Sequence, residues 1–561
     1  PGVNDERRPD AICVVVDAAN LSRNLRLVGE VIRLGLPLVV VLNRFDQALK
    51  RGLRINTDGL GLALGCEVLC TDALRGEGVE SVPSAIDRAR TPPPLPDGRS
   101  LKEWADSIVE RCTDAPESAR SEVFTDRLDD VFTHPALGTL VFMVVMTGLF
   151  WVVFKLATWP MDWIDAGFAA FGEGVAGALP AGAIRSLLVD GVIGGVGATV
   201  VFLPQICLMF FLITLLEQSG YLPRAALLVD RLFRPFGLPG QAFVPLLSSH
   251  ACAIPGIIAC RGIPDRRERI ATILVAPFMS CTARIPVYVL LTSILFADRP
   301  GFAAIAFTGC YVLGAATALL TAAVFRRTFL KGDARPMALE LPGYRRPSVR
   351  QALVSTLDRG LIFLRKAGTV ILGMMVALWW LGTYPIADPP PESIVMRERA
   401  LSASSPRAAE LIEEADRLDA RHASAHSFMG RTGRAIAPAF EPLGYDWQLT
   451  VGVLSSFAAR EVFVSTMAVV LAAGEDAGET ESGLRRIETS TRDDGVTPVF
   501  SRPASWSLLV FYVLAMQCLP TLAVTAREAG GWRWAGLQFA YMTALAYLGG
   551  AIAFNAAIWL G

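Results

Sequence analysis

The pattern of apolar and polar positions divides the chain at about residue 133. Before that point the sequence reads as an ordinary soluble domain, and after it come runs of roughly 20 apolar residues, enough to cross ~30 Å of hydrocarbon. Such windows lie at 136–158, 190–216, 268–297, 302–325, 367–384, 448–473, 505–526 and 535–560. The shorter run Leu246–Cys260 predicts a re-entrant or broken helix. The pattern therefore predicts a multi-pass α-helical membrane protein of about eight spans behind a soluble head.

The head begins with a pattern typical of a parallel sheet. Two β-branched runs, Ile12–Asp17 and Leu36–Asn43, flank a segment with helical spacing, Leu21–Leu34. A proline-rich stretch at 91–97 then leads into a charged, helix-compatible segment. We predict an α/β domain over residues 1–90, followed by a linker and helical coupling region over residues 91–133.

The second predicted strand ends in Asn43-Arg44-Phe45-Asp46, at the strand end where α/β sheets bind ligands. An aspartate there can accept two hydrogen bonds from the N1 and 2-amino groups of guanine, which adenine does not offer. Arg44 stands where lysine is usual, and Asp72-Ala73 approximates the turn that completes such a pocket. A helix N-cap after a strand is the alternative interpretation. The predicted guanine-binding residues are Asn43, Asp46 and Ala73.

The phosphate-binding part of such a head is not found in the sequence. No Gly-x-x-x-x-Gly-Lys-Ser/Thr occurs, and Pro1-Gly2 matches only the end of an Asp-x-Pro-Gly switch. We therefore expect the sequence to begin inside a partial GTPase-like domain. The prediction is no catalytic residue, no competent GTP hydrolysis, weak or lost GTP binding, and Mg²⁺ only with a complete head.

Composition and charge agree with a membrane body. The 561 residues are 52% apolar and 19% charged, and the net charge of −1 gives no reason to expect nucleic acid. Basic residues cluster at 261–269 and again between 326 and 366, which places both clusters in the cytoplasm. We predict a first membrane half at 134–326, a cytoplasmic basic loop at 327–366 and a second half at 367–561, whose polar insert 385–447 lies outside.

The ten cysteines include no Cys-x-x-Cys pair, which argues against a disulfide framework and a structural zinc site. Three of them, Cys252, Cys281 and Cys518, lie beside proline or Ser/Thr/Ala-rich breaks in apolar runs. An interruption in a helix leaves backbone carbonyls without their helical hydrogen bonds. A thiol beside such carbonyls suits a borderline-soft divalent metal. Ionisable residues inside the apolar windows point to function as well: Glu217, Arg284, Arg460 and Glu461.

The two membrane halves resemble each other. Cys252 precedes Arg261 by the same spacing as Cys518 precedes Arg527, and residues 282–289 resemble residues 458–464. Weak internal similarity with broken helices in both halves is typical of transporters built from repeats, which bind substrate where the repeats meet. We predict two gate-type repeats.

These residues resemble the FeoB-type ferrous iron transporters. The motifs that carry the resemblance are residues 17–26, 43–46, 133–135, 194–197, 201–205, 217–226, 252–255, 276–281, 457–461 and Cys518. The resemblance implies a cytoplasmic GTPase head that switches an Fe²⁺ pore or carrier in the bacterial inner membrane. It implies that the gate cysteines line the path. Together with the intramembrane carboxylates and His250, they give a predicted metal pathway through Cys252, Cys281, Cys518, Glu461, Glu217 and His250. The predicted gate structure comes from Pro255, Pro277, Ser280, Arg284 and Arg460. Small cytoplasmic accessory Feo proteins, membrane lipid and a homo-oligomer are the implied partners.

The sequence departs from the family pattern near the first gate cysteine. Ser249-His250-Ala251-Cys252 stands where the family has Gly-Phe-Gly-Cys, and Gln218 replaces an aspartate. We consider two roles for His250, an additional nitrogen ligand for Fe²⁺ or a hydrogen-bonded interface histidine.

Two other functions fit parts of the sequence. One is a related gate-fold permease for Mn²⁺ or a nucleoside, although cysteines at three breaks favour a metal. The other is a membrane-anchored regulatory GTPase without transport, which would leave the gate cysteines and Glu461 without a purpose.

Overall fold

The computed structural model describes residues 9–18, 21–50, 53–73, 75–95, 100–114, 131–180, 182–297, 299–331, 344, 346–402, 405–458, 460, 462–471 and 486–560. The chain forms two compact units, residues 1–130 and residues 131–561.

The first unit, the head, alternates strands and helices as the pattern predicts. Its elements are β1 (Ile12–Asp17), α1 (Leu21–Ile32), β2 (Leu38–Asn43), α2 (Phe45–Lys50), β3 (Arg54–Ile55), α3 (Thr57–Leu64), β4 (Glu67–Cys70), α4 (Val82–Asp87), α5 (Leu101–Cys112) and β5 (Thr113–Asp114). Strands β1, β2 and β4 form a parallel sheet in that order, with Asp17 opposite Asn43 and Leu42 opposite Cys70. This register brings the carboxyl ends of the three strands to one edge of the sheet.

The core of the head lies between this sheet and helices α1, α3 and α5. The fully buried strand β2 reads as a continuous apolar run, as expected for the central strand of a parallel sheet. Helix α5 contributes Trp104, Ala105 and Ile108 to the same core, and it packs against α1. The segment predicted as a coupling region therefore supplies a core helix to the head.

In the second unit, the membrane unit, helices joined by loops make up the described residues, apart from one isolated antiparallel bridge between Thr491 and Pro498. Its longer elements are α6 (Leu137–Ala178), α7 (Ala183–Ser186), a π-helix (Leu187–Ile193), α8 (Gly194–Val200), α9 (Leu203–Ser219), α10 (Tyr221–Phe233), α11 (Phe243–Ser249), α12 (Ala253–Ala259), α13 (Arg266–Val275), α14 (Ile285–Leu295), α15 (Pro300–Arg327), α16 (Val349–Phe363), α17 (Thr369–Thr383), α18 (Pro391–Leu401), α19 (Ser405–His426), α20 (Phe428–Phe440), α21 (Trp447–Ser456), α22 (Val462–Val470), α23 (Arg502–Leu514), α24 (Leu519–Ala529) and α25 (Trp532–Leu560).

Among the described residues of this unit, four segments are long and apolar enough to cross a membrane: Leu137–Ala178, Arg266–Leu295, Pro300–Arg327 and Trp532–Leu560. A fifth span is possible if α9 and the helix after it, bent by 91° at Gly220, are one broken span. Of the other predicted windows, 367–384 holds the shorter apolar helix Thr369–Thr383 and the rest are interrupted, so the predicted number of eight spans is not confirmed among the described residues. Leu246–Cys260 is broken, as predicted.

Four interruptions in apolar segments define the centre of the membrane unit, and we call them the four breaks. The first is residues 250–252 between α11 and α12, and the second is residues 279–281 between α13 and α14. The third comprises the described residues 457, 458 and 460 between α21 and α22, and the fourth is residues 515–518 between α23 and α24. Helices α14 and α24 each carry proline in their first turn, where the missing N–H costs no helical hydrogen bond.

Candidate functional site

Each of the three predicted gate cysteines lies at the start of a helical segment. Cys252 precedes α12 with φ −156° and ψ 137°, and Cys518 precedes α24 with φ −162° and ψ 95°. Cys281 precedes a 3₁₀ turn, Thr282–Arg284, that leads into α14. All three backbones are extended, so each thiol sits where backbone groups lie outside regular helical hydrogen bonding.

The fold brings these three cysteines to one small cavity of about 90 Å³. Every one of the four breaks contributes to its wall: Cys252, Cys281, Ala458 with Arg460, and Gln517 with Cys518. This volume holds several water molecules, and so also a partly hydrated cation. We call it the thiol cavity.

The thiols are neighbours, but they do not form a finished ligand set. Among the described residues, no group of three or more histidine, cysteine, aspartate or glutamate side chains is close enough to hold a metal ion. Glu461, the predicted carboxylate of the pathway, lies outside the described residues. Any ion in the thiol cavity would therefore need backbone, amide or water oxygens as well, or a rearrangement of the thiols.

Gln517 supplies an oxygen that the sequence analysis did not single out. Its Nε2 donates to the Ser456 hydroxyl at 2.9 Å, and that hydroxyl donates to the Val453 carbonyl, which assigns the amide orientation. Its Oε1 is buried without a hydrogen-bond partner, although Gln517 lines the thiol cavity. A buried acceptor without a donor favours a cation or a water beside it. The available signal was position, since Gln517 directly precedes Cys518.

Two buried arginines join the breaks. Arg284 is fully buried and donates to the carbonyls of Pro277, Phe278 and Ala515 at 3.1, 3.2 and 3.2 Å. Arg460 donates to the Ala515 carbonyl at 3.4 Å and to the Cys281 Sγ at 3.2 Å. The arginines thus share one carbonyl of the fourth break, and each also binds groups at or beside the second break.

The Arg460 contact matters for chemistry because it occupies one of the gate thiols. The positively charged guanidinium donates to the Cys281 sulfur, so this sulfur is engaged before any metal ion arrives. The same positive charge repels a divalent ion, so an ion that binds Cys281 has to displace Arg460. Sequence analysis assigned Arg460 to gate structure, whereas the fold places it in the cavity wall.

His250 lies apart from the thiol cavity. Its Nδ1 is 3.2 Å from the Ser280 carbonyl, and its ring packs between Phe150 and Tyr311. Ser280 in turn hydrogen-bonds Tyr288 at 3.1 Å through its hydroxyl. These contacts have the character of the hydrogen-bonded interface histidine, while the role as a metal ligand stays a prediction.

A second, larger cavity of about 920 Å³ takes in Glu217 and Pro255. Its charged lining consists of Glu217 with Arg261, Arg359 and Arg527, of which Arg261 is paired with Glu528 by two contacts of 2.6 Å. Four apolar residues line both cavities: Ile206, Ile254, Phe363 and Pro520. A single apolar layer therefore separates the larger cavity from the thiol cavity.

The predicted guanine residues meet at the carboxyl edge of the head sheet. The Asn43 Oδ1 accepts the backbone N–H groups of Arg44 at 2.9 Å and Ala73 at 3.0 Å. Arg44 has a positive φ of 60°, and its guanidinium pairs with Asp17 at 2.7 Å. Asp46 lies in the first turn of α2. Asn43 thus ties the turn after β2 to the turn after β4.

The nearby Cys70, the last residue of β4, is chemically quiet. Burial raises the pKa of its thiol to about 11, so the thiol is neutral near pH 7. Cys70 therefore supports the sheet edge without adding a charge to the site.

Comparisons with known proteins agree with this architecture. Residues 4–86 match a family described as ferrous iron transport protein B, and residues 307–359 match its C-terminal family. Residues 199–295 and 364–532 match the Gate family, described as nucleoside recognition. Fold and family matches together define a multi-pass membrane protein with a broken-helix gate and a GTPase-type head.

Relatives that match most of the chain identify the family within this class of membrane protein. The Fe(2+) transporter FeoB of Leptospira biflexa is 32% identical, with 96% of this chain and 86% of the relative covered. The FeoB of Campylobacter jejuni is 31% identical over 96% of this chain and 84% of its own. A Porphyromonas gingivalis fusion of Fe(2+) transport protein A and FeoB is 31% identical over 97% of this chain and 75% of the fusion. The chain belongs to the FeoB family of ferrous iron transporters.

Family membership confirms the predicted class and location. The protein is a multi-pass protein of the bacterial inner membrane with its GTPase-type head on the cytoplasmic side, as the charge pattern and the resemblance predict.

Proposed function

We propose that this chain carries Fe²⁺ across the cytoplasmic membrane along a path through the larger cavity, the apolar layer and the thiol cavity. The observation that carries the proposal is the meeting of all four breaks, with three cysteines, at one cavity. Broken helices that converge from two repeats are the usual setting of a transported ion. Iron is the named substrate of the relatives.

The donors around the thiol cavity suit Fe²⁺. Cysteine sulfur and amide oxygen, from Cys252, Cys281, Cys518 and Gln517, form the mixed soft and hard set that a borderline divalent ion accepts. Mg²⁺ or Ca²⁺ would favour carboxylates and water instead. Incomplete ligation in the described fold is consistent with passage, because an ion that is bound too well does not leave.

Entry of the ion requires Arg460 to release Cys281. The guanidinium keeps one further contact, with the Ala515 carbonyl, which gives it an anchor while the thiol is handed over. In this scheme Arg460 donates to the Cys281 sulfur when no ion is present, and Fe²⁺ takes the place of Arg460 during transport.

We infer a regulatory role for the head. Guanine binding at Asn43, Asp46 and Ala73 would bias the membrane unit, with Mg²⁺ needed only in a complete nucleotide site. The fusion of Fe(2+) transport protein A to the P. gingivalis relative supports small cytoplasmic accessory proteins as partners. Membrane lipid and a homo-oligomer are further proposed partners.

The test is Fe²⁺ uptake into proteoliposomes under reducing conditions with the full chain and with Cys252→Ser and Cys281→Ser. Cys310→Ser is the matched control, because Cys310 is buried on α15, outside the lining of the thiol cavity. We expect uptake to fall at least tenfold in the two gate variants and to stay near the unmodified rate in the control. Equal uptake in all forms would place the cysteines off the path.

A nucleoside is the second candidate, since the Gate family is described as nucleoside recognition and the larger cavity is roomy. Mn²⁺ and a nucleoside are therefore added as competitors. Inhibition by the nucleoside with no dependence on the cysteines would favour the nucleoside permease.

A further inference from the structure

Two of the four histidines in the sequence form a close pair on helix α19, outside the apolar windows. His422 and His426 are four residues apart, so a helix places them one turn from each other on the same face. Their ring centroids are 4.1 Å apart, with 35° between the ring planes. Both side chains are partly exposed. Solvent therefore reaches the pair.

The hydrogen bond of His426 settles which of its nitrogens is available. Its Nδ1 lies 2.9 Å from the carbonyl oxygen of His422, which can only accept, so Nδ1 carries the hydrogen. The lone pair of the neutral ring is then on Nε2. An Nδ1–H bound to a backbone carbonyl is the usual arrangement that orients a metal-binding imidazole.

The surroundings of the pair add negative charge and rigidity. Asp419 lies one turn before His422 on the same helix, and it also pairs with Arg397 of α18 at 2.7 Å. Arg421 donates to the carbonyl of Leu471, the residue that follows α22, at 3.4 Å. Arg421 thus links helix α19 to the C-terminal end of α22. The N-terminal end of α22 lies at the third break.

We propose that His422 and His426 bind one divalent transition-metal ion through their Nε2 atoms. Two imidazoles at positions i and i+4 of a helix are a familiar metal-binding pair, and imidazole suits Fe²⁺ as well as Zn²⁺, Ni²⁺ and Cu²⁺. Two ligands with water in the remaining positions hold an ion loosely. This site is distinct from the thiol cavity.

The metal site rests on the helix geometry alone, whereas its role rests on the proposed function. The charge pattern places the insert 385–447 on the side of the membrane opposite the cytoplasm. Incoming Fe²⁺ would therefore reach the histidine pair before it reaches the gate. Weak capture at that point raises the local concentration of the ion at low supply. We expect the pair to lower the KM for Fe²⁺ without changing the maximal rate.

Equilibrium binding of Fe²⁺ to the purified full chain, under anaerobic reducing conditions, tests the site. His422→Ala and His426→Ala should each lose one bound equivalent, because neither ring alone chelates the ion. The sharpest control moves one ring: His422→Ala combined with Ala420→His keeps the number of histidines but places the two rings six residues and about 120° apart around the helix, which is neither an i, i+3 nor an i, i+4 pair. Ala420 is exposed and accepts the larger side chain. This shifted variant should also lose the equivalent.

Uptake measurements on the same variants separate the two hypotheses. In proteoliposomes, the expected result is a severalfold rise in KM with an unchanged maximal rate. If the shifted variant still binds the equivalent, or if His422→Ala loses none, the metal site is refuted even when uptake depends on the gate cysteines. If the variants lose the equivalent but no form takes up Fe²⁺, the metal site stands and the proposed transport fails.

Discussion

Arg284→Met tests whether guanidinium contacts hold the breaks together. The substitution keeps the length of the stem but removes all three hydrogen bonds to the carbonyls of Pro277, Phe278 and Ala515. Those carbonyls lie at or beside two different breaks, and Arg284 itself is fully buried. Methionine cannot donate, and water does not reach the site, so the carbonyl oxygens lose a donor.

The magnitude follows from the number of bonds. A buried polar group without its partner costs roughly 1–3 kcal/mol, hence roughly 2–6 kcal/mol for the carbonyls of Pro277 and Phe278, because the Ala515 carbonyl keeps its hydrogen bond from Arg460. Removing a buried charge returns several kcal/mol of desolvation, which offsets part of that loss. We therefore expect a net loss of about 2 kcal/mol, which corresponds to a fall of about 2 °C in the melting temperature of a unit this large.

The assay is thermal unfolding of the full chain in detergent, followed with a fluorophore that reacts with newly exposed thiols. The chain offers ten free cysteines, several of them buried. Arg299→Met is the matched control, because Arg299 is exposed and its closest ring, Phe302, is 6.0 Å away. A fall no larger in Arg284→Met than in the control would refute the idea that these hydrogen bonds stabilise the gate.

Three further predictions address packing, gating and pH. Gly256→Ala should lower the yield of folded protein, because the new Cβ would lie 2.7 Å from the backbone carbonyl oxygen of Pro245 and would overlap the Ser249 hydroxyl. Gly262→Ala meets no atom within 4 Å and should yield normal amounts by size-exclusion chromatography. Phe363→Ala opens the apolar layer, so Fe²⁺ entry into proteoliposomes without nucleotide should rise, and an unchanged rate would mean that the layer is no barrier. Burial opposes ionisation of Asp419, but its serine and arginine partners hold the pKa of its carboxyl below the usual value. Ionised Asp419 therefore stabilises the insert above about pH 4, and this stabilisation is lost as the pH falls through the lowered pKa of the folded protein. Hydrogen exchange of the insert should become faster at acid pH for this reason, and Asp419→Asn should remove the pH dependence.

Local sequence determined much of this protein. Two β-branched runs around a segment of helical spacing, over residues 12–43, were enough to predict a parallel strand–helix–strand unit, because a central strand is apolar on both faces. Apolar length predicted the membrane helices Leu137–Ala178, Pro300–Arg327 and Trp532–Leu560, since crossing hydrocarbon requires it. Proline and small polar residues beside the gate cysteines likewise predicted breaks, because these residues interrupt helical hydrogen bonding.

Tertiary structure decided what the breaks do. Spacing along the chain did not show that Cys281 and Arg460, 179 positions apart, touch at 3.2 Å, or that both buried arginines share the Ala515 carbonyl. Nor did it show that His250 faces Ser280 instead of the thiol cavity. Helical periodicity reports which side of a helix is apolar, but contacts between distant segments depend on how the helices pack. For that reason the position of the three cysteines beside breaks could be predicted from sequence, whereas the cavity that they line together could not.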